Sequence, residues 1–371
     1  MSSAETFEIY LVSIPGLEAT LCDEARQLGF AGAVVVSGGV AFQGGWHDVW
    51  YANLRLRGAS QVLARIGSFH VSHLAQLDKL ARKFPWGKFL RVDVPVKVEA
   101  SCKKSRIYHA GAAAQRIETA LREEMGIVVD DNAIVCVKAR IEDNLCTISL
   151  ETSGEALHKR GHKLGIGKAP MRETMASLFL RQCGYDGKEP VIDPMCGSGT
   201  FVIEAAEIAA GLAPGRDRSF AFEYFQDFDA AAWAEMQKTK VDISTELKFY
   251  GSDRDAGAIA MATDNASRAG VSEITQFQTV AVSNLQRPDG QPGLVIVNPP
   301  YGTRIGDKKP LHALYGAFGQ VMLTRFSGWR VGVVTSELAL AKSTGLPFLS
   351  TGRSVLHGGL RIQLFQTKPL P

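Results

Sequence analysis

The stretch PVIDPMCGSGTF, residues 190–201, places a short apolar strand, a glycine-rich turn and the start of a helix in direct succession. Gly197 and Gly199 let the backbone bend tightly and approach a ligand, and the helix that follows presents N–H groups and the positive end of its dipole. A small anionic or zwitterionic ligand is expected here, unless the turn is purely structural. Val202 stands where a dinucleotide site needs a small residue, which argues against NAD.

Strands and helices alternate on both sides of this turn. The apolar periodicity predicts strands at 190–193, 248–252, 274–280, 293–297 and 330–335, helices at 171–183, 200–210, 255–268 and 311–326, and a final hairpin over 353–366. This rhythm, with fully apolar strands, is typical of an α/β fold built on a Rossmann-like, mostly parallel sheet. Such sheets bind ligands at the carboxyl ends of their strands.

The chain before residue 161 has a different pattern. Strands are predicted at 7–14, 33–37, 89–98, 134–141 and 145–150, and helices at 17–29, 73–84 and 110–125. Because strands and helices mix here without a strict strand–helix–strand order, we expect small α+β modules with a break near 38–50. Residues 161–170 contain three glycines and a proline and predict a linker.

A second motif, Gly251-Ser-Asp-Arg-Asp255, ends the next predicted strand. A carboxylate at this place can accept both hydroxyls of a ribose. Asp253 is the better candidate, since Asp255 stands where a helix starts and is expected to cap it. Arg254 lies between them and is assigned to the same site.

The third motif, Asn298-Pro299-Pro300-Tyr301, follows the strand 293–297. Two prolines stiffen the turn and remove N–H donors. The Asn298 side-chain oxygen and the Pro299 carbonyl can then accept the two hydrogens of a planar amino group, which aims its lone pair at a methyl sulfonium. Tyr301 offers a face for stacking an extruded base. The alternative is a proline turn capped by a core tyrosine.

Charge is unevenly distributed along the chain. Residues 55–106 contain twelve Lys or Arg against three acids, and residues 158–172 contain five more cations and no acid, although the net charge of the whole chain is +3. A basic part joined to an acidic part indicates a polyanion-binding module, the alternative being two solvated faces. If the basic part is a separate module, removing residues 1–160 should lower RNA affinity and leave cofactor binding nearly intact.

Length and composition narrow the class of protein. A chain of 371 residues is long enough for two or three domains, and with 46% hydrophobic and 21% charged residues it is typical of a soluble protein. We expect no membrane span and no export or transit signal, and therefore a cytoplasmic protein. The six cysteines never form a C-x-x-C pair, so reduced thiols and no metal site are expected.

The motifs DPMCGSGTF, GSDRD and NPPYGTR, in this order, resemble class I S-adenosylmethionine-dependent methyltransferases that modify amino nitrogens. The basic segment with the ending ISLETSGEALHKRGHK is similar to a THUMP domain and its linker, and LHGGLRIQLF resembles the family's final hairpin. The resemblance covers about residues 45–367. It is closest to bacterial enzymes that make N2-methylguanine in 23S ribosomal RNA.

The resemblance implies a domain order and a set of roles. The expected domains are a ferredoxin-like part (1–45), a THUMP-like RNA-binding domain (46–160), a linker (161–170) and a methyltransferase domain (171–371). The amine site would be Asn298, Pro299, Pro300 and Tyr301. S-adenosylmethionine would be bound by Asp193, Cys196, Gly197, Ser198, Gly199, Thr200, Asp253 and Arg254. RNA would contact Tyr301, Arg304, Lys103, Lys104, Arg106, Lys159 and Arg160.

The chain departs from the family pattern at two places. An acid that usually meets the adenine amino group is replaced by Ala281, which leaves Ser283 or the backbone for adenine. Gly302-Thr303-Arg304 stands where Gly-Glu-Arg is common, so Arg304 is either an RNA contact or a surface cation. Three alternatives stay open: a tRNA guanine methyltransferase, an N6-adenine DNA or glutamine methyltransferase, and a non-catalytic RNA-binding assembly factor.

Overall fold

The protein is described from a computed structural model that covers residues 6–164, 171–238, 245–301, 309–350, 352–357 and 359–371. The fold divides into two compact units. The first unit comprises Met1–Ser13, Cys22–Leu157 and Gly215–Thr239, and the second comprises Ile14–Leu21, His158–Pro214 and Lys240–Pro371.

The first unit is built on one seven-stranded sheet. Its strand order is β2-β3-β1-β4-β7-β6-β5, antiparallel throughout except for the parallel pair β5 and β6. The strands are β1 (Phe7–Val12), β2 (Val34–Val36), β3 (Gly39–Gly44), β4 (Gln61–His70), β5 (Val96–Lys103), β6 (Val135–Glu142) and β7 (Leu145–Glu151). The two modules predicted for this region therefore share a continuous sheet, and the boundary at 45/46 stays a prediction.

Four helices accompany this sheet: α1 (Glu18–Gln27), whose first turn is grouped with the second unit, α2 (Trp46–Arg55), α3 (Leu74–Lys83) and α4 (Ala110–Met125). The prediction of α4 over 110–125 is confirmed residue for residue. Its periodic apolar side chains Ala113, Ile117, Ala120 and Leu121 are all buried, and Gly126 ends it in the left-handed conformation. The predicted strand at 89–98 is wrong in its first seven residues, because β5 begins only at Val96.

Residues 215–239 belong to the first unit although they follow the glycine-rich turn in sequence. They contain a short 3-10 helix (Ala221–Tyr224) and α7 (Ala230–Gln237). The Phe222 ring lies 5.0 Å from Trp233 and 6.0 Å from Trp50, and Phe225 lies 5.5 Å from Trp46. We call residues 215–238 the aromatic insert. Because Phe222 and Trp233 are buried, their rings are core and not a platform for bases.

The second unit contains the predicted doubly wound sheet, with strand order β10-β9-β8-β11-β12-β14-β13. The first five of these strands are mutually parallel, and the final hairpin adds two antiparallel strands. The strands are β8 (Val191–Asp193), β9 (Phe249–Asp253), β10 (Thr275–Thr279), β11 (Leu294–Val297), β12 (Arg330–Thr335), β13 (Val355–His357) and β14 (Leu360–Gln366).

The helices of the second unit are α5 (Glu173–Gln182), α6 (Thr200–Ala209), α8 (Ala256–Arg268), α9 (Lys309–Arg325) and α10 (Leu338–Ser343). All four predicted helices lie within about two residues of their predicted bounds. A core of β11, β12, α9 and the final strand includes Phe318, Trp329 and Phe365, which are 0–2% exposed. This core fixes the strand ends on which the motifs stand.

Several cations in the basic stretch of the first unit form ion pairs. Arg82 contacts Asp78, Glu123 and Glu124, Arg91 pairs with Asp93, and Arg65 pairs with Glu8. Several partners lie outside the stretch, so the charge count along the sequence overstates the field that this stretch projects. The exposed cations Lys103, Lys104 and Arg106 lie together after β5.

Three further findings concern membrane spans, metal ions and the cysteines. None of the helices in the described ranges combines the length and the apolar character that a membrane crossing requires. Over the same ranges, no group of three or more His, Cys, Asp or Glu side chains is arranged to hold a metal ion. The six cysteines are free thiols, five of them buried, and burial raises the pKa of Cys136 and Cys146 to about 12. Such thiols pack as small apolar groups.

Candidate functional site

The three sequence motifs follow three neighbouring parallel strands in the centre of the second sheet. Strand β8 pairs with β9 on one side, with Asp193 opposite Gly251, and with β11 on the other, with Ile192 opposite Val295. Their carboxyl ends therefore meet at one edge of the sheet. The three motifs are up to about a hundred residues apart in sequence, but they lie together at this edge, which is where α/β sheets bind ligands.

The turn of residues 193–200, here called the ligand turn, requires both of its glycines. Gly197 and Gly199 have φ angles of 52° and 84°, which side chains rarely adopt. A Cβ on Gly199 would lie 3.1 Å from Ala262 Cβ and 3.2 Å from the Phe277 ring. A Cβ on Gly197 would meet no atom within 4 Å. Gly199 is needed for packing, whereas Gly197 borders open space that a ligand can occupy.

Two carboxylates hold the ligand turn from either side. The Asp193 carboxylate is buried and accepts the Met195 N–H at 3.0 Å. The Asp253 carboxylate accepts the Gly197 N–H at 3.1 Å and the Asp255 N–H at 3.0 Å. Asp255 itself caps α8 by accepting from Gly257 and Ala258, so its capping role is confirmed. Arg254 is exposed beside them, and the ligand contacts of these residues stay predictions.

Burial raises the pKa of the Asp193 carboxyl to about 8, with a further rise from Asp253 and an opposing effect of the Met195 N–H. The unfolded chain releases this proton near pH 4, so between about pH 4 and 8 the folded state binds more protons. The free energy of unfolding should therefore fall as pH rises through this window. Asp193→Asn should remove that slope and stabilise the ligand-free protein at pH 8 by on the order of a few kcal/mol.

Urea unfolding at a series of pH values measures this contribution. Asp264→Asn is the matched control, because Asp264 is exposed on α8 in the same unit. An Asp193→Asn protein with the wild-type pH profile would contradict the prediction.

A half-buried lysine next to the ligand turn, Lys163, was not predicted as a site residue. Lys163 Nζ donates to the Thr200 hydroxyl at 2.8 Å and to the Met171 carbonyl at 2.7 Å, and it lies 3.2 Å from the Glu173 carboxylate. Burial lowers the pKa of Lys163, and Glu173 opposes this. Thr200 is the first residue of α6, so Lys163 holds the end of the ligand turn. The sequence showed Lys163 only as one more cation in a basic run.

Arg160, for which an RNA contact was predicted, is buried in the second unit, and that contact stays a prediction. Arg160 is 3% exposed, and its guanidinium pairs with Glu204 and lies 3.4 Å from Glu207. Both glutamates are on α6 and are 0–1% exposed. Because two buried carboxylates require a neutralising partner, the fold uses Arg160 inside the second unit. The neighbouring Lys159 is exposed and stays a candidate for RNA contact.

Helix α8 secures the ligand turn from the other side. The Asn265 side chain, which is fully buried, donates to the Ser198 carbonyl at 3.1 Å. Arg268 donates to the His162 carbonyl at 2.8 Å and also contacts the Asn265 side-chain oxygen. Ser198 and Thr200 are thus engaged by protein groups, through a backbone oxygen and a hydroxyl respectively. The turn is held in a fixed shape before any ligand arrives.

The turn of residues 298–301, here called the clamp turn, contains a buried acceptor without a donor. Within the described chain, the Asn298 side-chain oxygen is inaccessible to solvent and has no hydrogen-bond partner. Leaving a buried polar atom unsatisfied costs about 1–3 kcal/mol, so such atoms often mark functional sites. The Pro300 carbonyl is engaged differently, since the Tyr315 hydroxyl lies 3.4 Å from it and 3.2 Å from the Thr335 hydroxyl. Tyr315 thereby fixes the clamp turn from behind.

Tyr301 is half-buried and packs against the core of β11, β12 and α9. Burial raises the pKa of its hydroxyl to about 12, so it is neutral at physiological pH. Part of its ring is thus committed to packing, and the remainder is exposed. Arg304, the last residue predicted for the amine end, lies outside the described residues.

The position at which the resemblance implies an acid for adenine is occupied by Ala281. Ala281 and Ser283 are exposed, in and next to the short 3-10 helix Val282–Asn284. Nearby in the sheet, the Ser252 hydroxyl on β9 is buried and, among the described residues, has no hydrogen-bond partner. Ser252 also accepts the Cys196 N–H through its carbonyl at 2.9 Å. It is a second unsatisfied polar group at this sheet edge, and the sequence analysis did not single it out.

Comparison with known proteins agrees with this geometry. A family described as "RMKL-like, methyltransferase domain" matches residues 160–348, and one described as "RlmL ferredoxin-like domain" matches residues 8–63. The chain is 30% identical over 342 residues to "Ribosomal RNA large subunit methyltransferase K/L" of Vibrio campbellii, covering 88% of this chain and 48% of that protein. The chain thus spans about half the length of the curated relatives that it matches.

Two solved structures share the whole fold. "A possible methylase from Clostridium difficile 630" has a TM-score of 0.89 at 28% identity, with 99% of both chains covered. "A predicted N6-adenine-specific DNA methylase" from Listeria monocytogenes has a TM-score of 0.88 at 29% identity, with 99% of this chain and 97% of that chain covered. The Rossmann-like fold and the resemblance seen in the motifs are confirmed. The chain belongs to the family of RMKL-like methyltransferase domains.

Proposed function

We propose that this protein transfers a methyl group from S-adenosylmethionine to the exocyclic N2 of a guanine in RNA, with large-subunit ribosomal RNA as the substrate. The proposal joins three elements: a cofactor site at the ligand turn, an amine site at the clamp turn, and an RNA-binding surface on the first unit.

The observation that carries the proposal is the unsatisfied Asn298 side-chain oxygen. It stands at the end of β11, next to the strand that leads into the ligand turn. An amino group of a nucleobase supplies the donor that this acceptor lacks. In the described part of the chain no donor contacts the Pro299 carbonyl either, whereas the Pro300 carbonyl faces Tyr315. The two acceptors for a planar amine are therefore Asn298 Oδ1 and the Pro299 carbonyl.

The residues of the ligand turn fit S-adenosylmethionine. The cofactor has a zwitterionic methionine end and a ribose with two hydroxyls, and it supplies an electrophilic methyl group. Open space beside Gly197 and the N-terminal end of α6 suit the carboxylate. Asp193 suits the ammonium, and such a cation would lower the raised pKa of this carboxyl. Asp253 and the unsatisfied Ser252 hydroxyl are placed to hold the ribose side.

The clamp turn would act by orientation. Hydrogen bonds from the amine to Asn298 and Pro299 direct the nitrogen lone pair, which is otherwise delocalised into the ring, toward the reacting carbon. Tyr301 supports the extruded base by stacking. When bound, S-adenosylmethionine would supply a methyl group whose bond to sulfur breaks as the bond to nitrogen forms, and the proton released from nitrogen would pass to water. Holding the clamp turn rigid through Tyr315 and Thr335 keeps the two acceptors aligned.

The choice of RNA rests on two supports. Relatives with about 30% identity are named for ribosomal RNA of the large subunit. On the first unit, exposed Lys103, Lys104 and Arg106 offer contacts for phosphates. The Listeria structure is named for N6-adenine in DNA, and the same clamp would hold that planar amine. Product analysis must therefore identify both the base and the nucleic acid.

The decisive experiment is transfer of a tritiated methyl group from S-adenosylmethionine to separate pools of 23S rRNA, tRNA and DNA, followed by digestion and chromatography. We expect label in N2-methylguanine from unmodified 23S rRNA alone. Label confined to tRNA would reassign the substrate, and label in N6-methyladenine would reassign the base. No transfer to any pool, together with no cofactor binding by calorimetry, would make the protein a non-catalytic RNA-binding factor.

A further inference from the structure

An exposed aromatic side chain lies inside the most basic loop of the first unit. Residues 103–109 connect β5 to α4 and are here called the basic loop. Tyr108 is 86% exposed, more than any other large hydrophobic or aromatic side chain in the described residues. Lys103, Lys104 and Arg106 are exposed with it. The Tyr108 ring is therefore accessible to a ligand and lies among cations that can contact the same ligand.

The basic loop is held in a fixed conformation. The Asn144 side-chain oxygen accepts the Arg106 N–H at 2.9 Å, and the Ser105 hydroxyl accepts the Asn144 N–H at 3.0 Å. Ile107 is 4% exposed and anchors the loop to the core between two exposed neighbours. Arg106 and Tyr108 are thus presented outward on either side of a buried residue. Little conformational entropy remains to be lost when a ligand binds.

Lys104 adds a sign of strain. It has a φ angle of 48°, in the left-handed region that side chains rarely adopt. A glycine would adopt this conformation without the steric cost. The nearby acids do not neutralise the loop: Glu142 pairs with both Lys103 and Arg140, and Asp143 is exposed. The basic loop and residues 140–144 of the neighbouring hairpin of β6 and β7 together contain four cations and two acids, so their net charge is positive.

We infer that the basic loop binds an unpaired RNA nucleotide, with Tyr108 stacking on its base and Lys104 and Arg106 contacting the flanking phosphates. An aromatic face accepts any base, and the cations follow the backbone, so the site selects unpaired RNA rather than a sequence. A duplex hides its base faces and would use the cations alone. This inference rests on the proposed RNA substrate, and it adds a contact on the first unit that the methyltransferase motifs do not specify.

The test compares the full-length protein and its variants in binding a short single-stranded RNA of mixed sequence and inorganic polyphosphate, without cofactor. Tyr108→Ala should weaken RNA binding about 5- to 150-fold, from ~1–3 kcal/mol per stacked base. Polyphosphate offers no base, so its affinity should stay unchanged. Tyr108→Phe should bind RNA like the wild type. Tyr108→Trp should bind RNA with a change in its fluorescence.

The cations should behave differently from the tyrosine. Lys104→Ala and Arg106→Ala should weaken both ligands, and each should reduce the slope of log Kd against log salt by about 0.7 for single-stranded RNA. Tyr108→Ala should leave that slope unchanged. Tyr224→Ala is the aromatic control, since Tyr224 is 41% exposed elsewhere in the first unit, and Lys188→Ala is the cation control.

Two results would overturn the inference. One is a Tyr108→Ala protein that binds RNA like the wild type, which would also be the outcome if Tyr108 docked a protein partner. The other is a Tyr108→Ala protein that loses RNA and polyphosphate affinity equally. Both failures differ from a failure of the proposed function, because wild-type binding and methyl transfer are measured separately. A wild-type protein that binds no RNA would overturn both proposals.

Discussion

Replacing Asn298 by alanine should reduce the rate of methyl transfer by about 10²–10³-fold, the loss typical of removing one preorganised polar group that acts on the reacting atoms. The Asn298 oxygen is buried and unsatisfied in the described chain, so its hydrogen bond becomes available only when the amine arrives. The loss should therefore appear mainly in kcat. Cofactor affinity should change little, because the ligand turn follows a different strand.

Asn284→Ala is the matched control for this variant, since Asn284 is an exposed asparagine in the same unit. Single-turnover transfer to unmodified 23S rRNA measures the chemical step, and calorimetry measures cofactor binding. An Asn298→Ala protein that retains more than about a tenth of wild-type activity would rule out the clamp role. A protein that loses cofactor binding as well would instead show that Asn298 supports the fold of the sheet edge.

Replacing Arg160 by alanine should destabilise the protein by about 3–5 kcal/mol, because it removes the guanidinium that neutralises two buried carboxylates. Glu204 and Glu207 are 0–1% exposed, so water cannot take over the role of the guanidinium. Denaturant unfolding should show the loss directly. Lys159→Ala is the control, since its side chain is exposed one position earlier in the chain.

A triple variant tests the same prediction. Arg160→Met combined with Glu204→Gln and Glu207→Gln removes all three charges, and should recover much of the stability lost in Arg160→Ala. If Arg160→Ala instead lowers RNA affinity and leaves unfolding unchanged, Arg160 is an RNA contact as the sequence first indicated. A stability loss equal to that of Lys159→Ala would also contradict the buried role.

The sequence predicted the second unit far better than the first. In the parallel sheet, β11 and β12 are apolar runs and the helices have clear periodicity, so β8 to β12 were found nearly in place. In the first unit, β4 was missed because it is half-exposed and shifts register between Arg65 and Gly67. Helix α2 was missed because its N-cap residue is Gly45, which has no side chain to cap the helix. Pro95 cannot donate to a ladder, which explains why β5 starts after it.

The position of a motif in the fold could be predicted where one short segment contains the whole motif, but side-chain contacts between distant segments could not. The strand ends with Asp193, Asp253 and Asn298 were expected at one sheet edge, and they lie there. Lys163 and Tyr315 were missed because their contacts with Thr200 and Pro300 span 37 and 15 residues. Counting charges along the chain cannot reveal which acids a fold will place beside them.

The aromatic insert has a consequence for how this protein can be dissected. Residues 215–238 follow the ligand turn in sequence, but their aromatic rings complete the core of the first unit. The sequence analysis proposed deleting residues 1–160. That deletion would expose the buried rings of Phe222, Phe225 and Trp233, so the remaining fragment should aggregate. No single cut separates the two units, because the first unit is made of three separate segments of the chain. A clean dissection must remove the insert as well as the amino-terminal segments of the first unit, and rejoin Pro214 to Lys240.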